Sequence, residues 1–316
     1  MIIKLTEIQK ERISRLENAL KKSTYEGDLE ASKRIIIDLQ SIYTATGNTA
    51  KLLQAKMRFY EASMDVGNII SAEIGLTSVR TQANRNTRTH LEASVLLAIC
   101  YLRMKDIKKA EPIIRDVLIN DKVITSEQKR IVFRKNAIER FDQEGLLFAL
   151  RSESDSSKIE LDYNRLEAEA GDLIRMNYDE GQLFENIGRS IPSSAKSVLL
   201  QVDEFAKKQL PSAERIALPS ATQVLEDNRV GKTLFSSVKR VLYKSICDTS
   251  SEVYKGWYKN GLAGITTYIT MVVADTLTKL NISIRGLIVI IAALIMKFGI
   301  GVYCEHHKPL DIMELR

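Results

Sequence analysis

The stretch SVLLAICYLRMKDIKKAEPIIRDVLINDK, residues 94–122, decides how the first half of the chain folds. Tyr101 falls four and three residues after Leu97 and Ala98, and Ala110, Ile114 and Val117 follow one another at four and three residues after a polar break. Such spacing puts each set on one face of a helix. Two helices joined by a tight turn are therefore expected, with the alanines letting the helix axes approach and the larger aliphatics and the tyrosine filling the gap. Outward from this unit the same pattern continues. A helix is predicted from Thr6 to about Lys22, with Ile8, Ile13, Leu16 and Leu20 on one side. Asp28 is placed to cap the next, which carries Leu29, Ile35, Ile36, Leu39 and Ile42 until Gly47. Further helices are predicted over about 49–65, 68–83, 87–104, 106–120 and 126–141.

The segments GDLEA, NIISA and DIKKA end at Ala31, Ala72 and Ala110, 41 and 38 residues apart. With Leu97, Ala98 and Tyr101 on a first helix and Ala110, Ile114 and Val117 on a second, the unit resembles the tetratricopeptide repeat, a family of helix-turn-helix repeats. The resemblance covers about residues 25–140. Departures are visible: Ser94 and Lys122 stand where that pattern has tryptophan and proline, Ser63 where it has tyrosine, and Pro112 is expected to kink the second helix. The unit ending its motif at Ala72 keeps Leu76 and Val79. What the resemblance implies is a stacked array presenting a surface to a peptide or partner protein. A generic helical bundle with recurring alanines stays open as the alternative.

Composition agrees with a mostly helical chain. Only 15 glycines and 5 prolines occur in 316 residues, about half of ordinary usage. The three cysteines, Cys100, Cys247 and Cys304, lack paired spacing, so neither a disulfide framework nor a zinc site is expected and a reducing compartment is. Histidine is limited to His90, His306 and His307, which leaves most acid-base, nucleophilic and metal chemistry without parts. No enzymatic activity, cofactor or metal is expected. The N-terminal MIIKLTEIQKERISRLENAL has no signal-like apolar core, so a start in the cytosol is expected.

Residues 1–150 are read as the repeat domain, and RSESDSS, 151–157, as a linker. A helical connecting region is expected over 158–228. Residues 151–210 hold eight Lys and Arg against twelve Asp and Glu, within a chain of net charge +6, which favours contacts between segments over one basic face. Pro211 and Pro219 mark a second connection.

The third region, 229–316, carries two apolar runs. GLAGITTYITMVVADTLT, 261–278, has one formal charge, Asp275, and GLIVIIAALIMKFGIGVYC, 286–304, has one, Lys297. Each is near the length of about 20 residues that crosses a bilayer core. The bridge KLNISIR, ending at Arg285, would make them a helical hairpin, with Asp275 and Lys297 available to pair across it. Residues 229–259 hold seven basic and two acidic residues, which puts that side in the cytosol by the positive-inside rule. Tyr254, Trp257 and Tyr258 before the runs and Tyr303 after them stand where interfacial aromatics would. Between 234 and 246 an amphipathic helix with Lys239, Arg240 and Lys244 is expected to lie along an anionic membrane surface. The same runs would also suit the buried core of a soluble helical domain.

Remaining motifs carry less. Gly231-Lys232-Thr233 ends like a phosphate-binding loop, but Glu226 stands where its first glycine belongs. Cys304, His306 and His307 are too few for a closed zinc site. His90 reads as a surface or capping residue. The acidic run of Glu160, Asp162, Glu167, Glu169 and Asp172 reads as a solvated helix face, and Lys129, Arg130, Arg134, Lys135 and Arg140 as the cap of the array before a nucleic-acid site. The whole is expected to be all-α: a tetratricopeptide-like array, a helical connecting region and an apolar C-terminal hairpin. A non-enzymatic adaptor or effector follows, binding a protein through the array, possible as an oligomer, and sited at the cytoplasmic face of a membrane, the inner one in a bacterium. Its layout looks like that of bacterial defence effectors that permeabilise membranes. A soluble, cytoplasmic interaction scaffold is the alternative.

Overall fold

The turn that closes the first helix sets the pattern for most of those that follow. In the computed structural model, which describes residues 4–153, 162–248, 254–255, 265–282 and 284–307, α1 spans Glu7–Glu26 and ends on Gly27 at φ 79°. The Gly27 amide donates to the Thr24 carbonyl at 3.3 Å and the Asp28 amide to the Ser23 carbonyl at 2.9 Å. That is the Schellman arrangement, and it satisfies carbonyls a helix end leaves open. Asp28 then caps α2, Leu29–Ala45, its carboxylate accepting from the Ala31 amide at 2.9 Å. One two-residue turn thus stops a helix and starts the next.

The same bonds recur at Gly47-Asn48 before α3, Thr49–Asp65, and at Gly67-Asn68 before α4, Ile69–Gln82. They recur again at Lys105-Asp106 between α5, Arg88–Arg103, and α6, Ile107–Ile119. All four turns need a left-handed residue, which glycine supplies without steric cost at Gly27, Gly47 and Gly67. At the fourth, Lys105 is held at φ 60°. Each of α1 to α6 packs on its neighbour in sequence, and α3 also touches α1 and α5. Leu20, Leu39, Ile42, Tyr43 and Leu52 fill the space among the first three. Buried on nearly every side, α5 is the centre of this part. Pro112 is exposed in the sixth position of α6 and does not interrupt it.

The long α7, Glu127–Glu153, contains the division between two compact units, one of the described residues up to Ala137 and one from Ile138 onward. Of the stretch 151–157 read as a linker, residues 151–153 continue α7 and 154–157 lie outside the described residues. In the second unit the order is α8, Tyr163–Arg175; α9, Glu180–Arg189; α10, Ser193–Lys208; α11, Ser212–Ala217; α12, Ala221–Val224; and α13, Asp227–Cys247. Then come α14, Ile265–Lys279; α15, Arg285–Phe298; and α16, Ile300–His306. The chain is all-α: it is 82% helix, with 16 helices and no strand among the described residues.

The region expected to be a connector is part of this second core. Leu166, Ala170, Leu183, Phe184, Ile187, Ala195 and Leu199 join one apolar cluster with the buried residues of α13, α14 and α15. Where α9 crosses α13 the backbones nearly touch. A methyl group on Gly188 would lie 1.9 Å from the Asp227 carbonyl oxygen, and one on Gly231 the same distance from that of Phe184. Gly231 is therefore a packing residue, which accounts for the glycine of the Gly231-Lys232-Thr233 triplet.

Candidate functional site

The apolar C-terminal helices are the part of the molecule whose sequence departs most from an ordinary surface-and-core pattern. In α15 every residue from Leu287 to Ile295 is buried, with exposures between 0% and 8%. A helix apolar on all sides has to be enclosed, and here α8, α9, α14 and α16 enclose it. The apolar run then breaks at Gly299, whose φ of 76° and ψ of 140° fall in a region open to glycine alone. Beyond it α16 leaves at 91° to α15.

This break corrects the expectation that 286–304 is one membrane-length helix. No single helix among the described residues is long and apolar enough to cross a membrane; the bent pair of α15 and α16 reaches that length only when both are counted. The first run is represented by α14, which has 15 residues, and residues 261–264 lie outside the described residues. Trp257 and Tyr258 lie outside them as well.

A polar seam along α8 holds the apolar helices. Glu167 accepts hydrogen bonds from the hydroxyls of Thr266 at 2.6 Å and Thr267 at 2.7 Å, tying α8 to the start of α14. Farther along, Tyr163 donates to Asp275 at 3.4 Å, and Arg285 at the head of α15 pairs with Glu169 at 2.5 Å. Asp275 and Lys297 are both exposed, and Asp275 has Tyr163 as its partner instead of the lysine. The acidic run of α8 is therefore only partly a solvated face. Asp162 caps its own helix and Asp172 pairs with Arg175, while Glu167 and Glu169 reach the C-terminal helices.

Tyr303, expected as an interfacial aromatic, packs inside this unit. It is fully buried, its hydroxyl donates to the Lys239 carbonyl at 3.3 Å, and its ring stacks on His307 at 4.8 Å. Burial raises the Tyr303 phenol well above its usual range and lowers the His307 imidazole below its usual value. Phe235 of α13 is the hub, with Phe184, Phe298, Tyr303 and His307 all within 6.4 Å. The apolar face of α13, expected to lie on a membrane, is committed to this core: Leu234, Phe235, Val238, Leu242 and Ile246 are buried. Its Lys239 is half-buried, with a pKa lowered first by burial and then by the charge of Arg140.

The expectation of three unpaired cysteines also fails. Cys247 at the end of α13 is bonded to Cys304 in α16 across a separation of 57 residues, with 5.5 Å between their Cα atoms. Spacing in sequence carried no sign of this, because the pair is brought together by the bend at Gly299. Cys304 is thereby withdrawn from any cluster with His306 and His307, and no group of three or more metal-ligating side chains occurs among the described residues. Cys100 is free and buried, and its thiol is pushed up to about 11 by that burial.

A second polar cluster in this unit was not anticipated. Asp142 of α7 and Asp203 of α10 are both buried, and Lys207 binds Asp203 at 2.6 Å and the Pro219 carbonyl at 2.7 Å. Burial raises both carboxyls, Asp142 the more because the Asp203 charge adds to it, so the pair holds a proton that sits on Asp142. Nothing in the sequence pattern distinguishes these residues from solvated helix charges.

The residues of the 94–122 unit lie in α5 and α6. Leu97, Ala98, Ala110, Ile114 and Val117 are buried, and Tyr101 is partly exposed beneath the Lys109 ammonium at 5.5 Å. His90 is buried rather than on the surface. It faces the Arg80 carbonyl at 3.0 Å beside a pair in which Arg80 meets Asp116 at 2.7 Å. Of the basic helix, Arg134 is buried against Asp121 at 2.6 Å, Arg130 pairs with Glu127 and Arg140 with Glu144, and Lys129 and Lys135 are exposed. No protein-family model, curated protein or solved structure matches this chain.

Proposed function

We propose that the chain is a non-enzymatic two-part protein in which a tetratricopeptide-like array receives a protein partner and an apolar helical hairpin, α14 and α15 with the appended α16, acts on a membrane when released. The observation that carries this reading is the wholly apolar, wholly buried run Leu287–Ile295 of α15, which with α16 beyond Gly299 reaches membrane length. Support for the array comes from the recurring turns before α2, α3, α4 and α6 and from the packing of each helix on the next.

Magnitudes explain why release is affordable. Moving α15 from a protein core to lipid leaves its apolar side chains in an equally apolar medium, so the large burial term nearly cancels. The balance then falls on a few polar groups. The seam to Glu167, Glu169 and Tyr163 is worth about 1 kcal/mol per hydrogen bond, and Lys297 costs roughly 3 kcal/mol at mid-bilayer. A partner's binding can supply a difference of that size. Site of action is then the cytoplasmic face of a membrane, and an effector of the bacterial defence type fits the layout.

A second reading, a soluble interaction scaffold, is favoured by one specific observation: α15 is already enclosed on all sides by α8, α9, α14 and α16. The test is expression of the full chain followed by carbonate and detergent extraction of the membrane fraction. Retention after carbonate and release only by detergent is the expected result. Recovery wholly in the supernatant, with α15 amides protected from exchange, would overturn the membrane reading in favour of the scaffold.

A further inference from the structure

We infer that Cys247 and Cys304 form a reversible redox clasp that decides whether the C-terminal helix α16 stays folded back against α13. The inference rests on the proposed membrane role only in what release of the helix achieves; the clasp itself stands on the geometry.

Three features converge on this pair. First, both cysteines are partly exposed, Cys247 at the end of α13 and Cys304 in the last turns of α16. Accessible disulfides are the labile and regulatory ones, whereas Cys100 is buried with its thiol held protonated and takes no part. Second, the bond joins the two arms of a hinge. Gly299 is the junction between α15 and α16, and a methyl group there would meet nothing within 4 Å, so only its backbone conformation ties that position to glycine. Third, among the described residues α16 is held by a short set of contacts: buried Ile300 and Tyr303, the Tyr303 hydroxyl on the Lys239 carbonyl, and the rings of Tyr303 and His307 around Phe235 and Phe298.

The chemistry is thiol-disulfide exchange with the glutathione couple. Two glutathione thiols donate two electrons and two protons to the Cys247–Cys304 bond, giving two protein thiols and one glutathione disulfide; closure is the reverse. With the bond closed, a cross-link over 57 residues removes most of the conformational freedom that undocking of α16 would gain. With it open, Gly299 is free to enter helical dihedrals. The residues from Arg285 to His306 then align into one helix about 33 Å long at 1.5 Å per residue, matching the hydrocarbon core of a bilayer. The partner so exposed to is a lipid surface.

The experiment uses the full chain, oxidised with glutathione disulfide or reduced with dithiothreitol. Thiol alkylation and intact mass report the bond, hydrogen exchange of residues 300–306 reports docking, and flotation with vesicles of phosphatidylcholine and phosphatidylglycerol reports membrane binding. Reduction is expected to speed exchange in α16 about tenfold, to raise flotation by a similar factor, and to leave α5 exchange unchanged. The Cys247→Ser/Cys304→Ser variant should behave as reduced under both conditions, and Cys100→Ser should switch like the parent. Gly299→Ala, which disfavours the bend without removing a thiol, should raise flotation further in the reduced state. Failure of the bond to form in glutathione disulfide, or equal α16 exchange in the oxidised and reduced chains, would overturn the clasp. Release of α16 on reduction with no flotation of either form would uphold the clasp and overturn the membrane role.

Discussion

The two units of the chain bury their apolar surface by different means, although both are built of helices. Up to Ala137, each helix packs on its neighbours in sequence, and one turn geometry serves four of the junctions. From Ile138 onward, the helices that meet are often distant in the chain: α8 with α15, α9 with α13, α13 with α16. Sequential stacking spreads stability over many small, similar contacts. Non-local packing concentrates it at a few crossings, where one atom in the wrong place is costly.

The sharpest way to break that comparison is at the crossing of α9 and α13. Gly231→Leu puts a side chain where a methyl group already meets the Phe184 carbonyl oxygen at 1.9 Å, and neither partner is a flexible side chain that can move aside. A loss of about 3 kcal/mol or more is expected, at the upper end of overpacking effects. Hydrogen exchange should show the loss in α9, α13 and α15 before α1 to α4. Equal loosening of both units would mean that they do not differ in the way described.

A somewhat smaller effect is expected at the buried charges of the second unit. Lys207→Met removes the cation bonded to Asp203 and leaves two carboxyls facing each other with only the more distant charge of Arg229 to offset them among the described residues. Removing one partner of a buried pair costs about 3 kcal/mol, more than the pair itself contributes. The pH dependence has a definite sign. Asp142 keeps its proton in the folded chain at pH values where an unfolded aspartate, with a pKa near 3.9, has lost it. The folded state therefore binds more protons, and stability from this site falls as pH rises from about 4 through the raised value. Asp142→Asn should flatten that slope in a thermal unfolding series. An unchanged slope would place the shared proton elsewhere.

How far the sequence reveals these structures follows from the same contrast. Helices of the first unit are visible because their apolar residues keep the 3.6-residue period and their contacts are local, so Leu97, Ala110, Ile114 and Val117 mark a buried face correctly. The period of the turns was readable too: Gly27, Gly47 and Gly67 lie 20 residues apart and each precedes Asp or Asn. Alanine spacing was the poorer ruler, since Ala31 is only the neighbour of the fully buried small residue Ser32, which corresponds to Ala72 and Ala110. In the second unit hydrophobicity alone reveals that α15 must be enclosed, but not by what. A buried helix and a membrane helix share that composition. The disulfide, the shared proton of Asp142 and the Glu167 seam all depend on which helices meet, and no local pattern encodes a meeting between residues 57 or more apart.

The smallest effect expected tests whether the turns of the first unit are one device. Three of the four carry glycine at the left-handed position, and the fourth carries Lys105 at φ 60°, with the same pair of closing hydrogen bonds at 2.9 Å each. For a residue with a Cβ that conformation costs roughly 1 kcal/mol. Lys105 is exposed, so replacement removes no buried contact. Lys105→Gly relieves the strain but adds freedom to the unfolded chain, which offsets part of the gain. The expected net is a stabilisation of about 0.5 kcal/mol, visible as a raised denaturation midpoint with an unchanged denaturant slope. Lys105→Ala keeps the strain and should show no gain. If both variants lose stability, the lysine side chain contributes something at this turn that the glycines do not, and the four junctions are alike in shape but not in energetics.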